Sequence, residues 1–358
     1  MRKICYLTGT RADFGLMTKI LKAIDNDSSW QLILLVTGMH LMKEFGQTIK
    51  EVKKLFSITE VIEATYKEDN RLSMARFVAT CLKKTVEVLK EAKPDVVLIL
   101  GDRGEALAMA AAAAYLTIPI VHIHGGDLTR TVDDKARHAI SMLADWHLAG
   151  PKESRKRLIS IRIKPEKVVT VGAPGLDEIR TLPKRLKKDL IVVLLHPEEK
   201  ENQAAKQMKI VLRAVISFGL PVKVIYPNAD AGGRAMIKVI FQFINQYPQL
   251  IESFKNLKRE DYLKLLQQAK VMVSNSSSGL VESPSLRLPV VNVGSRQKGR
   301  LQAKNIISVD YQEKQIKKAV TKALFDKIFI NSLKNIKNPY GDGKTAARVL
   351  SFLNKTFV

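Results

Sequence analysis

Residues 271–300 read VMVSNSSSGLVESPSLRLPVVNVGSRQKGR. The apolar run Val271 to Val273 predicts a buried parallel strand that opens into Asn275-Ser276-Ser277-Ser278-Gly279, with a helical pattern just beyond. A strand, a Ser/Gly turn and a helix N-terminus together offer backbone N–H groups and a positive dipole end to an anion. Glu282 is expected on the first turns of that helix, where its carboxylate would accept from ribose hydroxyls. The run Pro289 to Val293 predicts a second strand, which ends in Gly294-Ser295-Arg296 with Arg300 beyond, so guanidinium groups reach the same sheet edge. A nucleotide diphosphate is the economical ligand for that set. The bland alternative is a Ser-rich strand-to-helix turn that binds nothing.

The same alternation runs through the whole chain. Ile4 to Thr8, Leu32 to Val36, Val96 to Leu100, Ile118 to Ile123 and Val168 to Val171 are short β-branched runs with helical stretches between them, most plainly Glu105 to Tyr115. Residues 173–188 carry two prolines, a glycine and a charge run but no strand, and mark a domain boundary. Strands then resume at Leu190 to Leu195, Val222 to Tyr226, Val271 to Val273, Pro289 to Val293 and Ile306 to Val309. Continuous apolar strands separated by helices indicate α/β domains with parallel sheets covered on both faces. The expected division is residues 1–175, residues 176–340, and a last helix in 341–358. Two doubly wound, Rossmann-like domains would face each other across a cleft and hold a two-part ligand.

A length of 358 residues suits two domains, and 46% hydrophobic content suits full cores. Only Cys5 and Cys81 occur, both within apolar patterns, which fits buried thiols in a reducing compartment. No apolar stretch approaches the roughly 20 residues of a spanning helix, and no signal peptide is recognisable, so a soluble cytoplasmic protein with no membrane partner is expected. The formal charge of +24 raises nucleic-acid binding. The lysines are dispersed, however, and aromatics make up only 6% of residues, so a solvated basic surface is the better reading.

Chemistry is expected at the carboxyl ends of the strands, where parallel sheets place their sites. Arg11 follows the first strand, Asp102 and Arg103 follow Val96–Leu100, and His122-Ile123-His124-Gly125-Gly126-Asp127 closes Ile118–Ile123. Asp133 and Asp134 precede Ala136-Arg137-His138, with Asp134 and His138 on one helix face. In the second half, His196-Pro197 and Pro227-Asn228 end their strands. Asp102 or one of Asp133 and Asp134 would also serve simply as a helix cap. His122 and His124 fall on one side of a strand by the period of two, but no third ligand stands at a metal-binding spacing, and no metal is expected.

These clusters resemble the UDP-N-acetylglucosamine 2-epimerase family, and its hydrolysing branch most closely. The resemblance spans the chain through GTRADFG (9–15), VTGMH (36–40), GDRGEALA (101–108), HIHGGD (122–127), DDKARHAI (133–140), HPEE (196–199), YPNADAGG (226–233), SNSSSG (274–279), SRQKGR (295–300) and NPYGDG (338–343). It implies two Rossmann-like domains of the glycosyltransferase-B type and a C-terminal helix that crosses back onto the first domain. It implies a nucleotide-sugar substrate, most simply UDP-linked, and a homodimer or homotetramer. Arg11, Arg103, His138, Asn228, Ser276, Ser277, Gly279, Glu282 and Arg296 would bind substrate, with Arg11, Asn228, Ser276, Ser277, Glu282 and Arg296 at the nucleotide diphosphate. Asp102, His124, Asp127, Asp133 and His196 would work at the sugar, with no metal or redox cofactor.

Many relatives of this kind read HIEGGE where this chain reads HIHGGD, so His124 and Asp127 each replace a glutamate. The identity of the C2 base is therefore open among His124, Asp127 and Asp133. A UDP- or GDP-linked 2,4-diacetamido-2,4,6-trideoxy sugar competes with UDP-N-acetylglucosamine as substrate. A glycosyltransferase of the same fold is the reading of another class, supported only by Asp25-Asn26-Asp27 in a turn. A non-catalytic sugar-nucleotide sensor is a third.

Overall fold

The computed structural model describes residues 1–68, 70–128, 132–182, 189–198 and 201–358. Lys184 to Lys188 of the expected boundary and Glu199 of the HPEE run lie outside them. Two compact units are present. The first comprises Met1–Asp127, Val132–Arg180 and Tyr340–Val358; the second comprises Leu128 and the described residues of Thr181–Pro339.

The first unit is built on a seven-stranded sheet: β1 (Arg2–Thr8), β2 (Trp30–Val36), β3 (Glu60–Val61), β4 (Val96–Leu100), β5 (Ile120–Ile123), β6 (Trp146–Ala149) and β7 (Val168–Thr170). All pairings are parallel, in the order β3-β2-β1-β4-β5-β6-β7. The chain works outward from β1 to β3, then restarts at β4 on the other side of β1. Connections after β1 and β4 therefore leave in opposite directions, and a crevice opens at their carboxyl ends. One face of the sheet packs Ile4, Tyr6, Leu34, Val36 and Leu98 against Phe14, Met17, Leu21 and Ile24 of the helix Arg11–Asp25. The helix Thr345–Phe357 adds Val349 and Leu353 to that core, and Trp30 Nε1 donates to Asn354 Oδ1 at 2.7 Å. Residues 176–180 stay with this unit, because Asp177 accepts from the backbone N–H groups of Thr345 and Ala346 and Leu176 is buried beside Gly341.

The second unit holds β8 (Leu190–Leu194), β9 (Val222–Ile225), β10 (Ile251–Phe254), β11 (Ala269–Ser274), β12 (Val290–Val293) and β13 (Ile306–Val309). Their order is β10-β9-β8-β11-β12-β13, again parallel, so the switch point lies between β8 and β11. Val193, Val224, Val271, Val273 and Val291 pack with Met208, Val211, Met236, Ile240, Ile316 and Val320 of the covering helices. Three strands that the apolar runs do not announce are β3, β6 and β10. Among the described residues, no helix is long and apolar enough to cross a membrane.

Candidate functional site

At the switch point of the first sheet, the loop after β1 is shaped by Asp13. Its carboxylate accepts from Thr8 Oγ1 at 2.7 Å and from the N–H groups of Gly9 and Thr10 at 3.1 Å each, and Thr10 caps the helix in return. Burial raises the Asp13 carboxyl, while those hydrogen bonds and the Arg103 charge oppose the rise. Arg11 donates through Nε to Glu51 Oε2 at 3.1 Å. Arg103 donates through Nε to Glu105 Oε1 at 2.8 Å and through Nη2 to the Tyr66 hydroxyl at 3.4 Å.

Asp102 leaves β4 and pairs with Arg137 Nη2. Arg137 is 3% exposed on the helix Val132–Leu143, and its Nη1 also donates to Asp134 Oδ1 at 2.8 Å and to the Asp127 carbonyl at 2.9 Å. An opposite charge at that range favours the ionised carboxylate, so Asp102 is presented as an anion. Arg137 stands inside the DDKARHAI run but is not among the residues expected at the site. Its sequence signal is position: on a helix it shares a face with Asp134, Ile140 and Ser141, so that face buries a cation. Asp133 and Asp134 occupy the first turn as expected. His138 is exposed and its Nδ1 bonds the Asp134 carbonyl at 2.6 Å, so it meets Asp134 through backbone rather than through the carboxylate.

β5 ends at Ile123, so the period of two does not carry to His124, which has a left-handed φ of 66°. His122 points into the core: Nε2 donates to the Gly101 carbonyl at 2.7 Å, Nδ1 meets Ser141 Oγ at 3.1 Å, and burial lowers its pKa to about 3. His124 turns the other way, and its Nδ1 lies 3.8 Å from Asp127 Oδ2. Asp127 is 2% exposed and also accepts from Ser154 Oγ. Gly126 makes this turn possible, because a Cβ there would fall 2.3 Å from the Ser154 carbonyl oxygen. Among the described residues, no three His, Cys, Asp or Glu side chains are grouped to hold a metal ion.

At the switch point of the second sheet, Asn275 joins the ends of β8 and β11. Its Oδ1 accepts from the His196 N–H at 2.7 Å, and its Nδ2 donates to the His196 carbonyl at 2.8 Å and to the Tyr311 hydroxyl at 3.1 Å. The Asn228 N–H donates to His196 Nδ1 at 3.2 Å, which assigns the neutral ring's proton to Nε2. His196 is thus presented as a hydrogen-bond donor. Arg296 Nη1 and Gln297 Nε2 both donate to the Asn275 carbonyl, at 3.4 and 2.8 Å. Asn275 is the hub that reading the Ser-rich turn leaves unassigned.

The Ser-rich turn differs from expectation in one respect. The helix after it is a single turn, Ser278–Val281, stopped by Pro284, which has no N–H for the Leu280 carbonyl. No helix dipole of useful length stands behind Ser276 and Ser277. Glu282 follows that turn, 1% exposed, and its oxygens are engaged by Arg259 and Ser278. Each oxygen keeps further acceptor capacity beside these contacts, as a carboxylate has two lone pairs on each oxygen. Gly279 lies against β12, where a Cβ would meet Val290 Cγ1 at 3.3 Å.

Comparison with known proteins places this arrangement. The model of the UDP-N-acetylglucosamine 2-epimerase family matches residues 22–354. A Legionella pneumophila protein named UDP-N,N'-diacetylbacillosamine 2-epimerase (hydrolyzing) is 39% identical, over 99% of this chain and 96% of its own. A UDP-N-acetylglucosamine 2-epimerase of Neisseria meningitidis serogroup B is 35% identical over 90% of this chain and 88% of its own. Among solved structures, a Neisseria meningitidis UDP-GlcNAc 2-epimerase bound to UDP-GlcNAc superposes with a TM-score of 0.82 at 19% identity, covering 99% of this chain and all of the other. The chain belongs to the UDP-N-acetylglucosamine 2-epimerase family, as its motifs indicate.

Proposed function

We propose that this member of the epimerase family is a hydrolysing sugar-nucleotide 2-epimerase, which releases UDP and a 2-acetamido sugar inverted at C2. One observation carries the reading. The strand ends of the first sheet carry carboxylates and an imidazole, Asp102 after β4 and His124 and Asp127 after β5, whereas the switch point of the second carries donors, His196, Asn228, Ser276, Ser277 and Arg296. The first set suits proton transfer and the second suits a leaving diphosphate.

C2–H of the sugar has no adjacent carbonyl and is not acidic, so departure of UDP from C1 leads, through an oxocarbenium-like transition state. His196 donates from Nε2 to the departing diphosphate, and Arg296 and the serines stabilise its charge. The ionised Asp102 faces the positive charge that develops at C1. His124, Asp127 or Asp133 removes the C2 proton, giving a 2-acetamidoglucal. Water then adds at C1 while a proton returns to C2 from the other face. Arg11, Arg103 and His138 complete the substrate contacts, and Glu282 and Gly279 belong to the nucleotide side with the Ser-rich turn, where Glu282 would accept from ribose hydroxyls. The first unit, into which residues 176–180 and Tyr340 fall, serves the sugar and the second serves the nucleotide, in a cytoplasmic homo-oligomer.

Two substrates fit this chemistry. UDP-N-acetylglucosamine would give N-acetylmannosamine for nonulosonic acid synthesis. A UDP-linked 2,4-diacetamido-2,4,6-trideoxyglucose is favoured by one observation, the 39% identity to the diacetylbacillosamine-named relative against 35% to the UDP-N-acetylglucosamine one. Incubating the protein with each compound in heavy water and following the products by NMR tests the reading. Free UDP and a free sugar carrying deuterium at C2 are expected. A product still attached to UDP removes the hydrolysing step, and transfer to an acceptor without C2 exchange indicates a glycosyltransferase.

A further inference from the structure

The switch point of the first sheet holds a buried carboxylate that the reaction above does not use. Glu105, in the first turn of the helix Gly104–Tyr115, is 2% exposed. Its Oε1 accepts from Arg103 Nε at 2.8 Å, and its Oε2 is buried with no hydrogen-bond partner among the described residues. Arg103 is therefore the group that hydrogen-bonds this charge. The same carboxylate rests on the loop after β1. A Cβ at Gly9 would fall 2.1 Å from Glu105 Oε1 and 2.4 Å from Cδ, so only glycine lets the two loops flanking the switch point close on each other. Arg11, two residues past Gly9, is held in the same manner, Nε to Glu51.

Packing alone does not account for a carboxylate here, because an apolar or amide side chain of similar volume would fill the space at lower desolvation cost. Nor does the helix dipole, since an acidic residue in the first turn gains its benefit without burial or an arginine contact. What a carboxylate adds is a fixed, charge-assisted grip on a guanidinium. Arg103 is held through Nε by Glu105 and through Nη2 by the Tyr66 hydroxyl at 3.4 Å, and the other N–H groups of a guanidinium fixed at Nε lie on its Nη edge, which suits oxygen acceptors.

We propose that Glu105 is a positioning residue. It holds Arg103 through Nε against the Gly9 loop and thereby aims the guanidinium at oxygen atoms of the bound sugar nucleotide. The proposal rests on the function given above, because aiming the guanidinium serves catalysis only where a sugar nucleotide is bound.

A double-mutant cycle tests it, with UDP release measured from UDP-N-acetylglucosamine and from its 2,4-diacetamido-2,4,6-trideoxy counterpart. Glu105→Ala and Arg103→Ala should each lower kcat/KM by about 10- to 100-fold, the worth of one charged hydrogen bond. The double variant should be no more than about twofold below the worse single one. Glu105→Gln, which keeps an acceptor for Nε–H, should recover most of the loss, and Glu105→Leu carries the cycle if the alanine variant does not fold. Losses that multiply in the double variant, or a Gln variant as impaired as Ala or Leu, overturn the positioning role while the function stands. A wild-type chain that releases UDP from neither compound overturns the function and this proposal with it.

Discussion

His196 and Asn275 are hydrogen-bonded to each other twice, backbone N–H to Oδ1 at 2.7 Å and Nδ2 to carbonyl at 2.8 Å. The pair ties the end of β8 to the end of β11 where the second sheet changes direction. An asparagine side chain there continues the link between the two strands where their ladder ends at Leu194 and Ser274. Asn275→Ala leaves the His196 N–H and carbonyl and the Tyr311 hydroxyl without that partner, in a wholly buried position. The expected cost is about 2–4 kcal/mol in urea unfolding. Turnover should fall together with stability, because His196 loses the brace that orients its ring; unchanged stability would remove Asn275 from that role.

Arg137 is the cation that Asp102, Asp134 and the Asp127 carbonyl share. Arg137→Met takes the shared guanidinium away from two partly buried carboxylates, which should cost about 3–5 kcal/mol. Loss of the opposite charge disfavours the ionised form of Asp102, so the acidic limb of the pH profile of kcat/KM should move to higher pH. A limb that stays in place would show that Asp102 does not govern it.

Much of this arrangement was legible in the sequence because parallel strands buried on both faces read as continuous apolar runs. β6 escaped because His147 interrupts WHLA, although that histidine is itself buried. β10 escaped because it lies at the sheet edge, where Glu252 is exposed and pairs with Lys223 of β9. The strand-end residues of the site were legible for the same topological reason that makes them useful. Arg137 and Asn275 were not, since each acts by compensating or bracing a neighbour from another element, and spacing along one element does not carry that. Glu282 was misplaced because a proline two residues later limits its helix to one turn.

Acid should loosen the first unit through three buried histidines. Burial lowers His122 to about 3 and His40 and His147 to about 4, below the ordinary 6.5. The unfolded chain therefore binds more protons than the folded one between those values. Stability present above about pH 6.5 is lost as pH falls, with the His40 and His147 contributions exhausted near pH 4 and that of His122 near pH 3. The slope from these three groups approaches roughly 4 kcal/mol per pH unit. Urea midpoints measured from pH 7 to 4.5 check this, and His40→Gln should flatten the slope by about a third. A flat midpoint across that range would contradict three neutral buried rings.

The choice of C2 base is open to a direct comparison at the turn after β5. His124 lies with its Nδ1 3.8 Å from Asp127 Oδ2, and Asp127 is held from behind by Ser154. A buried carboxylate next to an imidazole orients the ring and stabilises the imidazolium that forms as the neutral ring takes up a proton. His124→Gln preserves hydrogen bonding but carries no transferable proton. It should lower kcat by about 100-fold or more and abolish C2 deuterium uptake, with UDP affinity nearly intact. Asp127→Asn should produce a smaller loss, because it leaves the ring in place and removes only the group that orients it. Asp102→Asn should abolish turnover with UDP still bound, since its part is electrostatic. Should His124→Gln retain near-normal exchange, the proton passes instead to Asp127 or Asp133, and the histidine in this turn serves only to hold Asp127.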